Sequence, residues 1–188
     1  MNVRRLPADE VAVRRYAAEL WIPYNRDLEA TVDAHALASD ADLVAEQVAF
    51  TLENLESTDY RIEIAVDSPA EADDAEFASG EGDCLGFIAT TLDEAPSVFD
   101  RPDRLVVCEI YVREPHRGTG LARDLIGCAV ERARAEGCAE LALDVDVDNE
   151  RALGFYRKLG FEPLRRRMRV DTGRLADAER TRPSYSDT

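Results

Sequence analysis

The chain has 188 residues, 45% of them hydrophobic, and carries 39 acidic against 23 basic residues for a formal net charge of −16. That length suits one ordinary domain with a filled core rather than two. The acidic balance argues against a groove that follows nucleic-acid phosphates, and no apolar run approaches the length of a membrane span.

The opening MNVRRL predicts a short strand, and Pro7 with Asp9 suits the start of a helix. Val13, Tyr16, Ala17, Leu20 and Trp21 then recur at helical spacing, and Ile22 with Pro23 is expected to end that helix. PYNRDLEATVDAH reads as polar and irregular, placing Tyr24 in a loop. Ser39 or Asp40 is expected to cap a second helix with a stripe of Val44, Val48, Leu52 and Leu55. Ile62, Ile64 and Val66 alternate as in a half-buried strand, and an acidic loop at about 68–82 interrupts before the strand CLGFIATTL.

RLVVCEIYV is apolar on both faces, as a central strand should be, and regular alternation would set Leu105, Val107, Glu109 and Tyr111 on one face. A helix marked by Ala122, Leu125, Ile126, Ala129, Val130 and Ala133 follows, with Gly137 as its C-terminal cap. ELALDVDV predicts a strand presenting Asp144 and Asp146 on the face opposite its apolar residues. Asn149 is expected to cap a short helix that carries Tyr156 and closes at Gly160. FEPLRRRMRV predicts one more strand or two short ones, and residues 171–188 read as a flexible tail behind a single domain over 1–170. Strands alternating with helices in this order give an α/β (α+β) domain with a mixed sheet.

Cys84, Cys108, Cys128 and Cys138 lie in apolar contexts without C-x-x-C spacing, so they read as reduced core residues. With only His35 and His116 besides, no metal is expected. No targeting leader is read at the start, so the expected location is cytoplasmic. Lys158 is the only lysine. This acidic, lysine-poor composition resembles cytosolic proteins of salt-loving archaea, and the acidity is taken as solvation rather than substrate steering.

The chemistry concentrates in REPHRGTGLA, residues 113–122. It lacks the G-K-[ST] of a P-loop, and Arg123 stands where a dinucleotide fingerprint needs a third small residue. What remains is Arg117-Gly118-Thr119-Gly120-Leu121-Ala122 at a strand-to-helix junction, where backbone N–H groups and the helix dipole suit an anion.

These residues match the R/Q-x-x-G-x-G/A motif, and downstream LALDVDVDNERALGFYRKLGF looks like the matching strand and Asn-x-x-Ala-x-x-Phe-Tyr-x-x-x-Gly-Phe helix. On both motifs, over about residues 104–163, the chain resembles the GCN5-related N-acetyltransferase (GNAT) family. The resemblance implies a mixed central sheet flanked by helices, whose fourth and fifth strands splay to admit acetyl-CoA. It implies a bulge near Ile110, Tyr111 and Val112 that frees backbone groups for the pantetheine arm, with Val112 on the acetyl carbonyl. It assigns the pyrophosphate to the backbone of Arg117, Gly118, Thr119, Gly120, Leu121 and Ala122, with Asn149 and Tyr156 at the cofactor's other end.

By the same resemblance Tyr156 is the candidate general acid to the CoA sulfur. Glu109 is the candidate base, its carboxyl raised by burial on a central strand. Tyr24, Asp144 and Asp146 are candidate acceptor contacts, and Trp21 reads mainly as core. The expected activity is acetyl transfer from acetyl-CoA to a primary amine of a small molecule by direct attack. A peptide or protein N-terminus is the alternative acceptor, and a CoA-binding regulatory module is the non-enzymatic alternative. A homodimer is among the assemblies allowed.

Overall fold

The computed structural model describes residues 1–32, 35–68, 77–78 and 80–174. These fall into two compact units, residues 1–149 and residues from 150 onward, each described by itself.

The first unit is built on five strands: β1 (Asn2–Arg5), β2 (Tyr60–Asp67), β3 (Asp83–Asp93), β4 (Arg104–Val112) and β5 (Glu140–Leu143). They lie side by side in chain order, with the first four antiparallel and β4–β5 parallel. The parallel pair requires a crossover, supplied by α4 (Leu121–Ala135). Leu121, Leu125, Ile126, Ala129 and Ala133 form the buried stripe of α4, and Gly137 ends it at φ 75°.

Helix α1 (Glu10–Tyr16) starts at Asp9, whose carboxylate accepts from the N–H groups of Val11 and Ala12 at 3.0 Å each. The expected stop at Ile22–Pro23 does not occur. A π-helical turn over Ala17–Trp21 leads directly into α2 (Ile22–Glu29), and Pro23 falls in the first turn of α2, where a proline is tolerated. Tyr24 therefore sits on a helix rather than in a loop. Helix α3 (Leu43–Leu55) is capped by Asp42, not Ser39 or Asp40, because the Asp42 carboxylate reaches the Ala45 N–H at 3.1 Å. The core of Val13, Tyr16, Leu20, Val48, Ile62, Ile64 and Phe87 lies between these helices and the sheet.

In the second unit, α5 (Glu150–Lys158) carries Tyr156 and terminates at Gly160, φ 90°. The strand expected over residues 161–170 does not form; these residues are irregular, with Leu164, Met168 and Val170 exposed. Eight of the residues in the expected acidic loop, 69–76, together with residue 79, lie outside the described residues, as does the expected tail from residue 175 on. Among the described residues no helix is long and apolar enough to cross a membrane.

Candidate active site

Two irregularities of β4 create the site. The first is its pairing with β5, which runs only from Arg104–Glu140 to Val107–Leu143. Beyond it, the β5 side of Cys108–Val112 has no strand partner among the described residues. Because the Arg113 N–H bonds to the Leu85 carbonyl at 2.9 Å, strand alternation turns the N–H groups of Ile110 and Val112 toward that open side. Opposite Val112 lies Gly86, where a Cβ would come within 2.4 Å of the Tyr111 carbonyl oxygen, so only glycine permits this approach of β3 to β4.

The second irregularity is a bulge. Ala89 pairs with Glu109 and Thr90 with Val107, leaving Cys108 as the extra residue. The expected bulge at Ile110–Val112 thus lies nearer the middle of the strand, and Cys108 is exposed rather than a core residue. One inserted residue reverses the alternation. Leu105 and Val107 share one face, whereas Glu109 and Tyr111 turn to the other, toward α1 and α2; the four do not share a face as regular alternation would require.

That reversal brings the Glu109 carboxyl to α1 and the π-turn. The Trp21 indole donates to Oε1 at 3.2 Å, and the Tyr16 hydroxyl makes a longer 3.5 Å hydrogen bond to Oε2. Residues five apart point well away from each other on a regular α-helix. The wider π-turn, in which the Ile22 N–H reaches the Ala17 carbonyl, brings Tyr16 and Trp21 to one side. Glu109 is half-buried, and loss of solvent pushes its carboxyl up to about 7 against the opposing pull of both hydrogen bonds. Tyr60, also half-buried, has its phenol raised by burial and then by the Glu109 charge.

Nearby, Tyr24 packs against Phe87 and Tyr111, with ring centroids 5.8 Å apart in each case. The Arg117 side chain turns back over this group. Its Nε donates to the Val112 carbonyl at 3.0 Å, its Nη2 pairs with Asp27, and its guanidinium carbon lies 5.7 Å from the Tyr111 ring centre.

After the Arg117 turn, Gly118 and Gly120 adopt φ 80° and 103°, and a Cβ at either would meet nothing within 4 Å. Backbone angle rather than crowding therefore requires glycine here. No side chain caps the start of α4. Among the described residues, the N–H groups of Gly118 through Ala122 make no backbone hydrogen bond, so they are available to an anion. The Arg117 N–H differs: it is committed to the Glu114 carbonyl at 3.1 Å, so the cradle narrows to the five residues after it.

The aspartates fall elsewhere. β5 ends at Leu143, so Asp144 and Asp146 are not on a strand; Asp144 is exposed, and Asp146 meets His35 Nε2 at 2.7 Å. Asn149 directly precedes α5 and donates its N–H to the Asp146 carbonyl at 3.0 Å. In the second unit, Tyr156 packs between Phe155 and Phe161, with centroids 5.4 and 5.5 Å away, and burial pushes its phenol up to about 12. No group of three metal-ligating side chains is arranged for an ion among the described residues.

Sequence reasoning missed Tyr16 and Trp21 as partners of Glu109, and Asp27 altogether. The first two carry the helical stripe of core residues, and only the Cys108 bulge reveals their second role.

The fold is thus a mixed sheet whose single parallel pair ends beside a glycine-rich loop at the start of a helix. The acetyltransferase (GNAT) family model matches residues 44–161, and the chain belongs to that family. It is 32% identical over 81 residues to N-alpha-acetyltransferase MAK3 of Arabidopsis thaliana, covering 43% of this chain and 40% of that one. It is 40% identical over 53 residues to the L-methionine sulfoximine/L-methionine sulfone acetyltransferase of Pseudomonas paraeruginosa, covering 28% and 31%. The chain thus spans less than half the length of either curated relative. The BH1408 protein of Bacillus halodurans, solved as a tetramutant, shares the fold with a TM-score of 0.71 at 17% identity, over 91% of this chain and 99% of that one.

Proposed function

We propose that the chain is an acetyl-CoA-dependent N-acetyltransferase acting on a primary amine of a small molecule by direct attack. The observation that carries this reading is Glu109: a half-buried carboxyl raised to about 7 on the strand whose neighbouring edge has opened.

Acetyl-CoA, when bound, supplies an activated acetyl thioester. The N–H groups of Gly118 through Ala122 hold its pyrophosphate, and the open edge at Ile110 and Val112 pairs with the pantetheine arm. The Val112 N–H, turned to the open edge, is the donor for the acyl oxygen, and Arg117 holds the carbonyl of the same residue. Glu109 accepts the proton of the acceptor amine, directly or through one water. A carboxyl near 7 is matched to that task at neutral pH, because an ordinary surface glutamate would be too weak a base. Tyr156 holds the proton for the departing sulfur; a phenol at about 12 is a poor free acid, so the transfer must be concerted with C–S cleavage. Trp21 and Tyr60 flank Glu109, and Tyr24 packs on Phe87 and Tyr111, so an acceptor side lined by these rings favours a compact amine with an apolar portion.

A peptide N-terminus is the second reading, favoured by the likeness to the Arabidopsis N-alpha-acetyltransferase. Release of CoA thiol from acetyl-CoA over a panel of amines, amino acids and peptides tests both. Turnover confined to peptides would replace the small-molecule reading, and binding without turnover would leave a CoA-binding module.

A further inference from the structure

The Arg117 side chain does not continue in the direction of the loop it starts. It folds back onto Val112 and Tyr111 and ends in an ion pair with Asp27 of α2. One turn earlier on the same face of α2, Tyr24 packs on Tyr111 and Phe87. Burial raises the Tyr111 phenol, and the neighbouring Asp27 charge adds to the rise. A single guanidinium therefore joins three parts of the site: the carbonyl at the end of β4, the start of the anion loop, and the helix bearing the acceptor-side aromatics.

Resting on the reading above, we propose that Asp27 is a positioning residue that acts through Arg117 to hold the anion loop and the Val112 carbonyl in register with α2. The bond from Arg117 to the Val112 carbonyl fixes the orientation of the peptide at the end of β4. Loss of the Asp27 charge frees the guanidinium, which then leaves Val112 and relaxes the loop that follows. Asp27 touches no substrate; its effect on cofactor binding is transmitted by Arg117. The pair is part-exposed, with side chains 49% and 26% accessible, so its influence is modest and screened by salt.

The test is CoA binding by calorimetry with the wild-type chain, Asp27→Asn, Arg117→Gln and the double variant, at low and high salt. Asp27→Asn is expected to weaken CoA about threefold to fivefold at low salt, with the difference shrinking at high salt. In the Arg117→Gln background the same change should have no further effect, and Asp27→Glu should restore most of the affinity. A merely structural role would lower thermal stability without this salt dependence or this non-additivity. Unchanged CoA affinity in Asp27→Asn, or fully additive losses, would overturn the proposal. Failure of the wild-type chain to bind CoA would instead strike the functional reading on which it rests.

Discussion

Replacing Glu109 by glutamine removes the ionisable group and keeps most of its shape. With the carboxyl at about 7, about 1% is ionised at pH 5 and about 99% at pH 9, so wild-type kcat/KM should climb about tenfold per unit below pH 7 and level above it. General-base catalysis contributes about 10²–10⁴-fold, so Glu109→Gln should lose that much at pH 9. At pH 5 the gap should close by about a hundredfold, because the wild-type base is itself mostly protonated. Stability should move the other way. The folded carboxyl is raised above the 4.5 of an ordinary glutamate, so its burial costs nothing at low pH, increasingly more from about 4.5 to about 7, and the full amount above. The variant should therefore be more stable than wild type at pH 8, by on the order of 3 kcal/mol, and equal to it near pH 4. The assay is a pH–rate series with an acceptor whose amine does not titrate in the same window, beside thermal unfolding at both pH values. An unaltered limb near pH 7 in Glu109→Gln, with activity within a factor of about three, would refute Glu109 as the base.

Trp21→Phe removes an indole donor that pulls the Glu109 carboxyl downward, so the pH–rate limb should move up by about one unit while stability changes little. Tyr156→Phe should lower kcat by about 10²-fold without changing CoA affinity, and a thioester of a more acidic thiol should recover much of the rate. Gly120→Val places a β-branched residue at φ 103°; it should weaken CoA binding about tenfold and lower the melting temperature, read by calorimetry and thermal unfolding.

Much of the scaffold could be read from residue order because its signals are local. Asp9 caps α1, the alternation of Ile62, Ile64 and Val66 marks β2, and Gly118 and Gly120 announce the anion loop. The features that shape the site are not local. The side to which Glu109 points depends on a one-residue shift against Ala89 and Thr90, two residues that carry no mark of it in their own sequence. The extension of the first helix past Pro23 depends on the π-turn, which places proline in a first turn where its missing N–H costs nothing. Arg132 shows the same limit on α4. It occupies a core position because its guanidinium reaches the Thr90 carbonyl at 3.0 Å and the Asp59 carbonyl at 2.6 Å, partners 42 and 73 residues away. A polar residue in a helical stripe reads as surface until such partners are known. FEPLRRRMRV errs in the opposite direction: its apolar residues are spaced as in a strand, yet Leu164, Met168 and Val170 are exposed and unpaired.

Acetyl transfer from CoA to an amine with Glu109 as base is open to direct assay. Its most direct measurement is acetyl-CoA-dependent thiol release with the acetylated amine identified by mass spectrometry, run in parallel on wild type and Glu109→Gln at pH 8. Wild type should give stoichiometric thiol and N-acetyl product with a small primary amine, and the variant a rate lower by about 10²-fold or more. Tight CoA binding with no acetylated product from any amine or peptide would contradict this chemistry.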